Sequence, residues 1–457
     1  MRKFEWSAKP FGEFFGALTD ALDSVGVHYC ILRNYEGFPA NNLGNDIDFL
    51  ISRSDLQRAM CALRSVEAAQ IIGYLERASV ASVYLEGISH PPELRALEVD
   101  FDLNLAWKGL SFLTTDSVFQ AAIRRTAGSL TFWVPSPIHE AIMSFFTSFL
   151  IGGCLKEKYF AQVQRTFASE RSGVIAALLP QFGLKTTTHL VDAVIGGDRR
   201  KVLGCVRSLR ISLALRSLLR QPIRSVLAVV NHYANEFAIR LSPKTLETVC
   251  LLSPEGGART AIIEALMPML RSCAGVVEKR RPQPWLHFER ISTGTTTNAE
   301  PRATAQPGSL VSMAKVVSWL LSDWLSQLWG KKNLTLRIWD TCSYDLVVDP
   351  DRYRYGGPEW FARLVSKLFP SPDLWIFLDP VAEGAQSKSR QVLPAEILSQ
   401  LEAYRAFIQA QKKYVILDAS QPADGVTERA YAAIIGTLGE RADRKLKDRF
   451  KQRKPPN

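Results

Sequence analysis

The chain has 457 residues, 47% apolar and 22% charged, a balance that suits a folded protein of two or three domains and excludes a mostly disordered one. Seven cysteines, an odd number without a Cys-x-x-Cys pair, argue against a disulfide framework and a structural zinc site, and predict a reducing, cytoplasmic setting. More than half of the net charge of +11 lies between Arg441 and Lys454, where eight Lys or Arg face only Asp443 and Asp448.

The opening residues, Met1 to Pro10, contain no apolar run, so neither a secretory signal nor an anchor is expected. Val27 to Leu32, Asp46 to Ile51 and Leu97 to Leu105 carry strand patterns with helical patterns between them, predicting an α+β unit over residues 1–135. The nearest approach to a membrane span is Ile142 to Leu155, interrupted by Ser144, Thr147 and Ser148. It is shorter than the roughly 20 residues a bilayer requires and is expected to be a buried core helix. Residues 136–246 turn helical and basic and are expected to form a connector.

Thr248 to Leu252 is predicted as a short buried strand that enters a Gly-containing turn and then a helix, Ala261 to Leu270. Strand, loop and helix in that order mark a doubly wound α/β nucleotide fold, expected over residues 247–440. Arg290 to Gln306 lacks any period and is expected to be an inserted loop. Further strands are predicted at Thr335 to Trp339, Leu374 to Leu378 and Tyr414 to Leu417, each followed by a helix. Residues 441–457 are expected to be a solvated helix end and basic tail, with an acidic partner or an anionic membrane surface as the alternative. Only Phe450 interrupts the charges as an aromatic, so no nucleic-acid partner is expected.

Two constellations carry chemistry. Residues two apart on a strand share a face, so Asp46 and Asp48 converge, and Glu98, Asp100 and Asp102 do so on a later strand. Such carboxylates suit hard divalent cations, Mg²⁺ above all, and paired ions of this kind activate a hydroxyl while stabilising a leaving pyrophosphate. In Leu32-Arg33-Asn34-Tyr35-Glu36-Gly37, Asp46 to Leu50 and the later Lys156-Glu157-Lys158-Tyr159, the chain resembles the nucleotidyltransferase superfamily over about Phe11 to Lys158. The resemblance implies a mixed sheet, metal binding by Asp46 and Asp48, and a third carboxylate at Asp100 or else Asp102. It further implies transfer of a nucleotidyl group from ATP or another nucleoside triphosphate to an unidentified acceptor hydroxyl. That superfamily places Gly-Ser on the turn before the aspartates; here Arg33 and Asn34 stand there, and the arginine fork is expected to hold phosphate instead.

The second constellation is Ser253-Pro254-Glu255-Gly256-Gly257-Ala258-Arg259-Thr260, placed where a phosphate loop would lie. Ser253 and Ala258 replace its glycines and Arg259 its lysine, while Thr260 keeps a metal-binding hydroxyl. With Asp340-Thr341-Cys342, the run Tyr344 to Pro358 and Pro372 to Asp379, the chain from about Glu247 to Glu440 resembles the thymidylate kinase-like domains encoded with bacterial surface-polysaccharide genes. Those relatives carry Asp-Arg-Tyr at 340–342 and Arg-Lys at 387–388, so two phosphate-clamping arginines are absent here. Catalysis of phosphoryl transfer is mostly positioning and charge stabilisation. The expectation is a pseudokinase that retains nucleotide contacts through Glu255 to Thr260, Asp340, Arg352 and Lys388. The alternatives are a non-catalytic nucleotide-binding scaffold, and an unconventional nucleotide or sugar kinase that uses Arg259.

Overall fold

In Asp46–Ile51 the side chains alternate: Ile47, Phe49 and Ile51 enter one apolar core, while Asp46, Asp48 and Leu50 face the other way. That alternation sets the architecture of the first half of the protein. The computed structural model describes residues 9–40, 42, 46–66, 69–90, 94–242, 246–254, 256–280, 308–328, 333–340, 343–350, 355–380 and 395–451. The chain is mixed α/β and divides into two compact units, Met1–Ala238 together with Lys445–Asn457, and Ile239–Arg444.

The first unit begins with β1 (Lys9–Pro10), α1 (Phe11–Ser24), β2 (Tyr29–Ile31), β3 (Asp46–Ile51), α2 (Leu56–Ser65), β4 (Gln70–Glu76), β5 (Val80–His90) and β6 (Leu94–Asp102). Two short hairpins follow, β7 (Ala106–Trp107) with β8 (Leu110–Ser111), and β9 (Ile123–Ala127) with β10 (Leu130–Val134), separated by α3 (Thr115–Gln120). The main sheet is mixed, in the order β1-β5-β6-β3-β2 with β4 also on β5; β1/β5 and β3/β6 are parallel and the other pairs antiparallel. The hairpin β4–β5 occupies a stretch whose pattern had suggested helix. Its register shifts between Ile71 and Gly73, and such an irregularity erases the two-residue period that identifies a strand.

One face of this sheet is covered by Phe11, Phe14, Phe15, Leu18 and Leu22 of α1 and by Ala59, Met60 and Leu63 of α2. The opposite face meets helices: α4 (Pro137–Phe146), α5 (Glu157–Ser169), α6 (Arg171–Phe182), α7 (Leu184–Ile195) and α8 (Arg199–Arg220), with α9 (Pro222–Leu241) after them. Phe145, Phe146, Phe149, Phe167, Leu178, Leu190, Val202 and Leu209 share a core with Cys30 and Leu50 of the strands and with Leu32 just after β2. The helical segment is thus packed onto the sheet rather than standing apart from it.

Ser136 caps α4 by accepting the His139 amide, and Pro137 occupies the first helical turn, where its missing N–H costs nothing. The expected continuous helix to Leu155 stops earlier: α4 passes into a π-helical turn, Thr147–Ile151, and Gly153 follows with φ 67°. Among the described residues no helix is long and apolar enough to cross a membrane.

The second unit contains β11 (Leu246–Leu252), α10 (Gly256–Leu270), β12 (Val276–Arg280), α11 (Ser309–Leu328), β13 (Thr335–Trp339), α12 (Asp345–Val348), α13 (Glu359–Leu368), β14 (Leu374–Asp379), α14 (Ala395–Gln409), β15 (Tyr414–Asp418) and most of α15 (Ala423–Lys451). Its sheet is wholly parallel, in the order β12-β13-β11-β14-β15. Parallel strands are covered on both faces, which explains the unbroken apolar runs in β11 and β14. Cys250, Leu252, Trp375 and Phe377 pack against Leu401, Tyr404 and Ile408 of α14 on one face.

The basic segment beyond Arg441 continues α15 to Lys451 and is not simply solvated. Leu446 is buried in the core of the first unit, and Arg449 grips Glu76 of β4 with two hydrogen bonds of 2.7 and 2.8 Å. Within the second unit, Arg441 pairs with Glu247 and Asp373. Residues 452–457 and the expected insert at 290–306 lie outside the described residues.

Candidate functional site

The parallel register of β3 on β6 sets Asp46 beside Glu98, Asp48 beside Asp100 and Leu50 beside Asp102. On the other side of β6, antiparallel β5 sets Ser82 beside Asp100 and Tyr84 beside Glu98. Five carboxylates therefore share one sheet face across two adjacent strands. Tyr84 Oη donates to Glu98 Oε1 at 2.7 Å, and Ser82 hydrogen-bonds Asp100. Asp100 Oδ1 is buried with no hydrogen-bond partner among the described residues.

Crowding and burial raise the proton affinity of Asp46, Glu98, Asp100 and Asp102. Burial, then the negative charge of Glu98, pushes Asp100 up to about 7. Burial, followed by Asp48 and Asp100, lifts Asp102 well above the ordinary carboxylate range. Asp46 and Glu98 are raised too, chiefly by burial; Arg33 and Lys156 oppose the rise at Asp46, and the Tyr84 hydroxyl opposes it at Glu98.

The Arg33-Asn34 turn is tied to this row and to α5. Arg33 Nε donates to Asp48 Oδ2 at 2.5 Å and its Nη2 to Oδ1 at 3.3 Å, so both Asp48 oxygens are engaged. The expected phosphate-holding arginine is, in this structure, the counterion of a catalytic candidate. Asn34 adopts φ 60°, and its Oδ1 accepts from Lys158 Nζ at 3.1 Å and Tyr159 Oη at 3.0 Å. Its side-chain carbonyl is thus already used. Tyr35 Oη donates to Glu140 Oε2 at 2.6 Å, which links the same turn to α4.

Carboxylate oxygens of this kind suit a hard divalent cation such as Mg²⁺ by donor type. Hard carboxylate oxygens, negative charge exceeding what Arg33 balances, and the orphaned Asp100 Oδ1 all fit it. As they stand, no three carboxylate, imidazole or thiol groups among the described residues are gathered into a set that could hold one ion. The fit is one of charge and donor type, with Asp48 first occupied by Arg33.

In the second unit the phosphate-loop candidates fall differently from expectation. Ser253 is buried at the end of β11, and Gly256, Gly257 and Ala258 already form the first turn of α10. Arg259, 1% exposed, turns into the protein: Nη1 lies 3.0 Å from Asp345 Oδ2 and Nε 3.5 Å from Asp340 Oδ1. Two interior carboxylates require a countercharge, and the guanidinium supplies it, whereas the phosphate-loop pattern predicts a cation facing a ligand. Thr260 Oγ1 donates to Asp340 Oδ1 at 3.4 Å, Lys279 Nζ stands 3.4 Å from Asp340 Oδ2, and Tyr404 Oη donates to Asp345 Oδ1 at 2.7 Å. Asp340 and Thr260 are brought together, but facing Arg259. Glu255, Arg352 and Lys388, with Thr341, Cys342 and Ser387, lie outside the described residues.

Sequence reasoning missed Ser82 and Tyr84, because the hairpin that carries them was not recognised, and missed Asp345, Lys279 and Tyr404, which come from separate elements. The Lys158-Tyr159 pair was visible as a motif, though its contact with Asn34 was not. No protein-family model and no curated protein sequence matches the chain.

Proposed function

We propose that the first unit transfers a nucleotidyl group from a nucleoside triphosphate to an acceptor hydroxyl at the carboxylate row. The single observation that carries this reading is the in-register placement of Asp46 and Asp48 beside Glu98 and Asp100, with Asp100 Oδ1 buried and unpartnered. Asp46 and Asp48, completed by Asp100 or Asp102, would hold Mg²⁺, which when bound supplies charge to the phosphates and lowers the pKa of a bound hydroxyl. The acceptor oxygen forms its bond to the α-phosphorus, the α–β phosphoanhydride bond breaks and pyrophosphate leaves. Where Asp102 completes the metal set, Asp100, whose proton affinity burial and Glu98 raise, is left to take up the acceptor proton. Arg33, released from Asp48, would offer its fork to phosphate oxygens. Resemblance to domains encoded with surface-polysaccharide genes suggests a glycan precursor as acceptor.

The full chain, incubated with Mg²⁺ and each nucleoside triphosphate in turn, is expected to release pyrophosphate, and Asp48→Asn to abolish the release. Undiminished release from Asp48→Asn would sink the reading.

A second reading, a non-catalytic nucleotide-binding scaffold, is favoured by one pair of observations: Arg33 occupies both oxygens of Asp48, and Arg259 is turned inward onto Asp340 and Asp345. The same inward Arg259 weighs against a kinase that uses it. Calorimetric titration with ATP separates the first two readings, since tight binding without pyrophosphate release supports the scaffold.

A further inference from the structure

The helices α8 and α9 present an apolar surface that nothing in the first unit covers. α8 buries Val202, Cys205, Leu209 and Leu213 against the helical core. On its opposite side it leaves Leu215, Leu218 and Leu219 exposed. After Gln221, Pro222 ends the first helix and opens the second, whose outward stripe continues with Ile223, Leu227 and Val230. Leu219 is 82% and Ile223 74% exposed, at the junction of the two helices. Spacings of three and four residues place each set on one helical face. Large apolar side chains left exposed in such number on two successive helices call for an occupant.

Charge identifies the occupant. From Arg199 to Asn235 the chain carries eight Lys or Arg and no Asp or Glu. Some have partners: Arg199 pairs with Glu157, Lys201 with Asp198, and Arg210 donates to the carbonyls of Leu150 and Ile151. Arg207, Arg220 and Arg224 are exposed, with no carboxylate at ion-pair distance among the described residues. Arg220 and Arg224 adjoin Leu219 and Ile223, the most exposed apolar side chains of this face. A second copy of this chain fits poorly, because a twofold contact sets each patch on its own image and brings like charges together. A lipid surface fits: apolar side chains enter the boundary between headgroups and acyl chains, while arginine stems lie along it and their guanidinium groups reach phosphate.

We infer that the α8–α9 face docks the protein peripherally on an anionic membrane. The inference is independent of the chemistry proposed for the carboxylate row, and it places membrane contact at α8–α9 rather than at the basic C-terminal segment.

The test is co-sedimentation of the full chain with vesicles of phosphatidylcholine alone and of phosphatidylcholine mixed with phosphatidylglycerol. Binding is expected only to the anionic vesicles and is expected to weaken with added salt. Arg220→Gln with Arg224→Gln should lower the partition coefficient by about 25-fold, roughly fivefold per arginine. Leu219→Ser with Ile223→Ser should also lower it at least tenfold, with thermal unfolding unchanged because both positions are exposed. Absence of binding to anionic vesicles at low salt overturns the inference, as does wild-type binding by both double variants. A dimer in sedimentation velocity that Leu219→Ser dissociates, without vesicle binding by the wild type, would overturn it in favour of a second copy.

Discussion

At the scale of single residues, the decisive feature is how buried charges are answered. Arg259 has two carboxylates within 3.5 Å and almost no exposure, so its loss leaves Asp340 and Asp345 with less of their countercharge. Breaking a buried pair in this way costs about 3–5 kcal/mol. Arg259→Ala should therefore lower the thermal stability of the second unit by that order, followed by tryptophan fluorescence, and Arg259→Lys should lower it less. Asp100 shows the opposite situation, a carboxylate short of positive charge. Its folded-state pKa, about 7, lies above its unfolded value, so the native protein holds this proton to higher pH. The associated stability is fully present below the ordinary carboxylate range and is lost as pH rises through about 7. Thermal unfolding without divalent cations should show this fall between about pH 5 and 8. Asp100→Asn should flatten part of the fall, while the rest belongs to Glu86, which burial also pushes up to about 7, and to the raised neighbours in the row.

At the scale of elements, the docking of α9 depends on one backbone position. Gly109, between β7 and β8, has φ 85°, and a Cβ there would stand 2.4 Å from the carbonyl oxygen of Ala228 in α9. Both the left-handed backbone and the backbone neighbour disfavour any side chain. Arg77, just beyond β4, holds the same helix through two hydrogen bonds to Glu236, of 2.7 and 2.9 Å. Gly109→Ala should loosen α9, and hydrogen exchange should report it as faster exchange in Ser225 to Phe237 with little change in β3 and β6. Unchanged exchange in α9 would mean that the contact is dispensable. The strands at the row tolerate no comparable slip: moving β3 by one residue against β6 would turn both aspartates toward Phe49's core.

At the scale of the whole molecule, charge is sorted rather than balanced. The net +11 coexists with a carboxylate row that, among the described residues, Arg33 alone pairs at ion-pair distance, and with an arginine-rich, apolar α8–α9 face. An ion that binds the folded row and not the unfolded chain stabilises the fold by mass action, most strongly where the carboxylates are ionised. Millimolar Mg²⁺ should raise the melting temperature of the full chain more at about pH 8 than at about pH 6, and Asp46→Asn with Asp48→Asn should remove that difference. An equal shift in the double variant would place the ion elsewhere.

The sequence by itself determined the local pieces whose signal is short-range. Asp46–Ile51, Thr335–Trp339 and the carboxylate alternation at 98–102 followed from period and composition, because adjacent residues on a strand point to opposite faces whatever surrounds them. Only the tertiary structure decided what those residues meet. That β3 and β6 are parallel neighbours, that the unrecognised β5 brings Ser82 and Tyr84 to the row, and that Arg33 closes on Asp48 depend on strand order and register. These are set by contacts between segments distant in sequence. Arg259 makes the point most sharply: its place in a phosphate-loop pattern was legible, while its direction was fixed by Asp340 and Asp345, which lie about 80 residues further along the chain and share its buried surroundings.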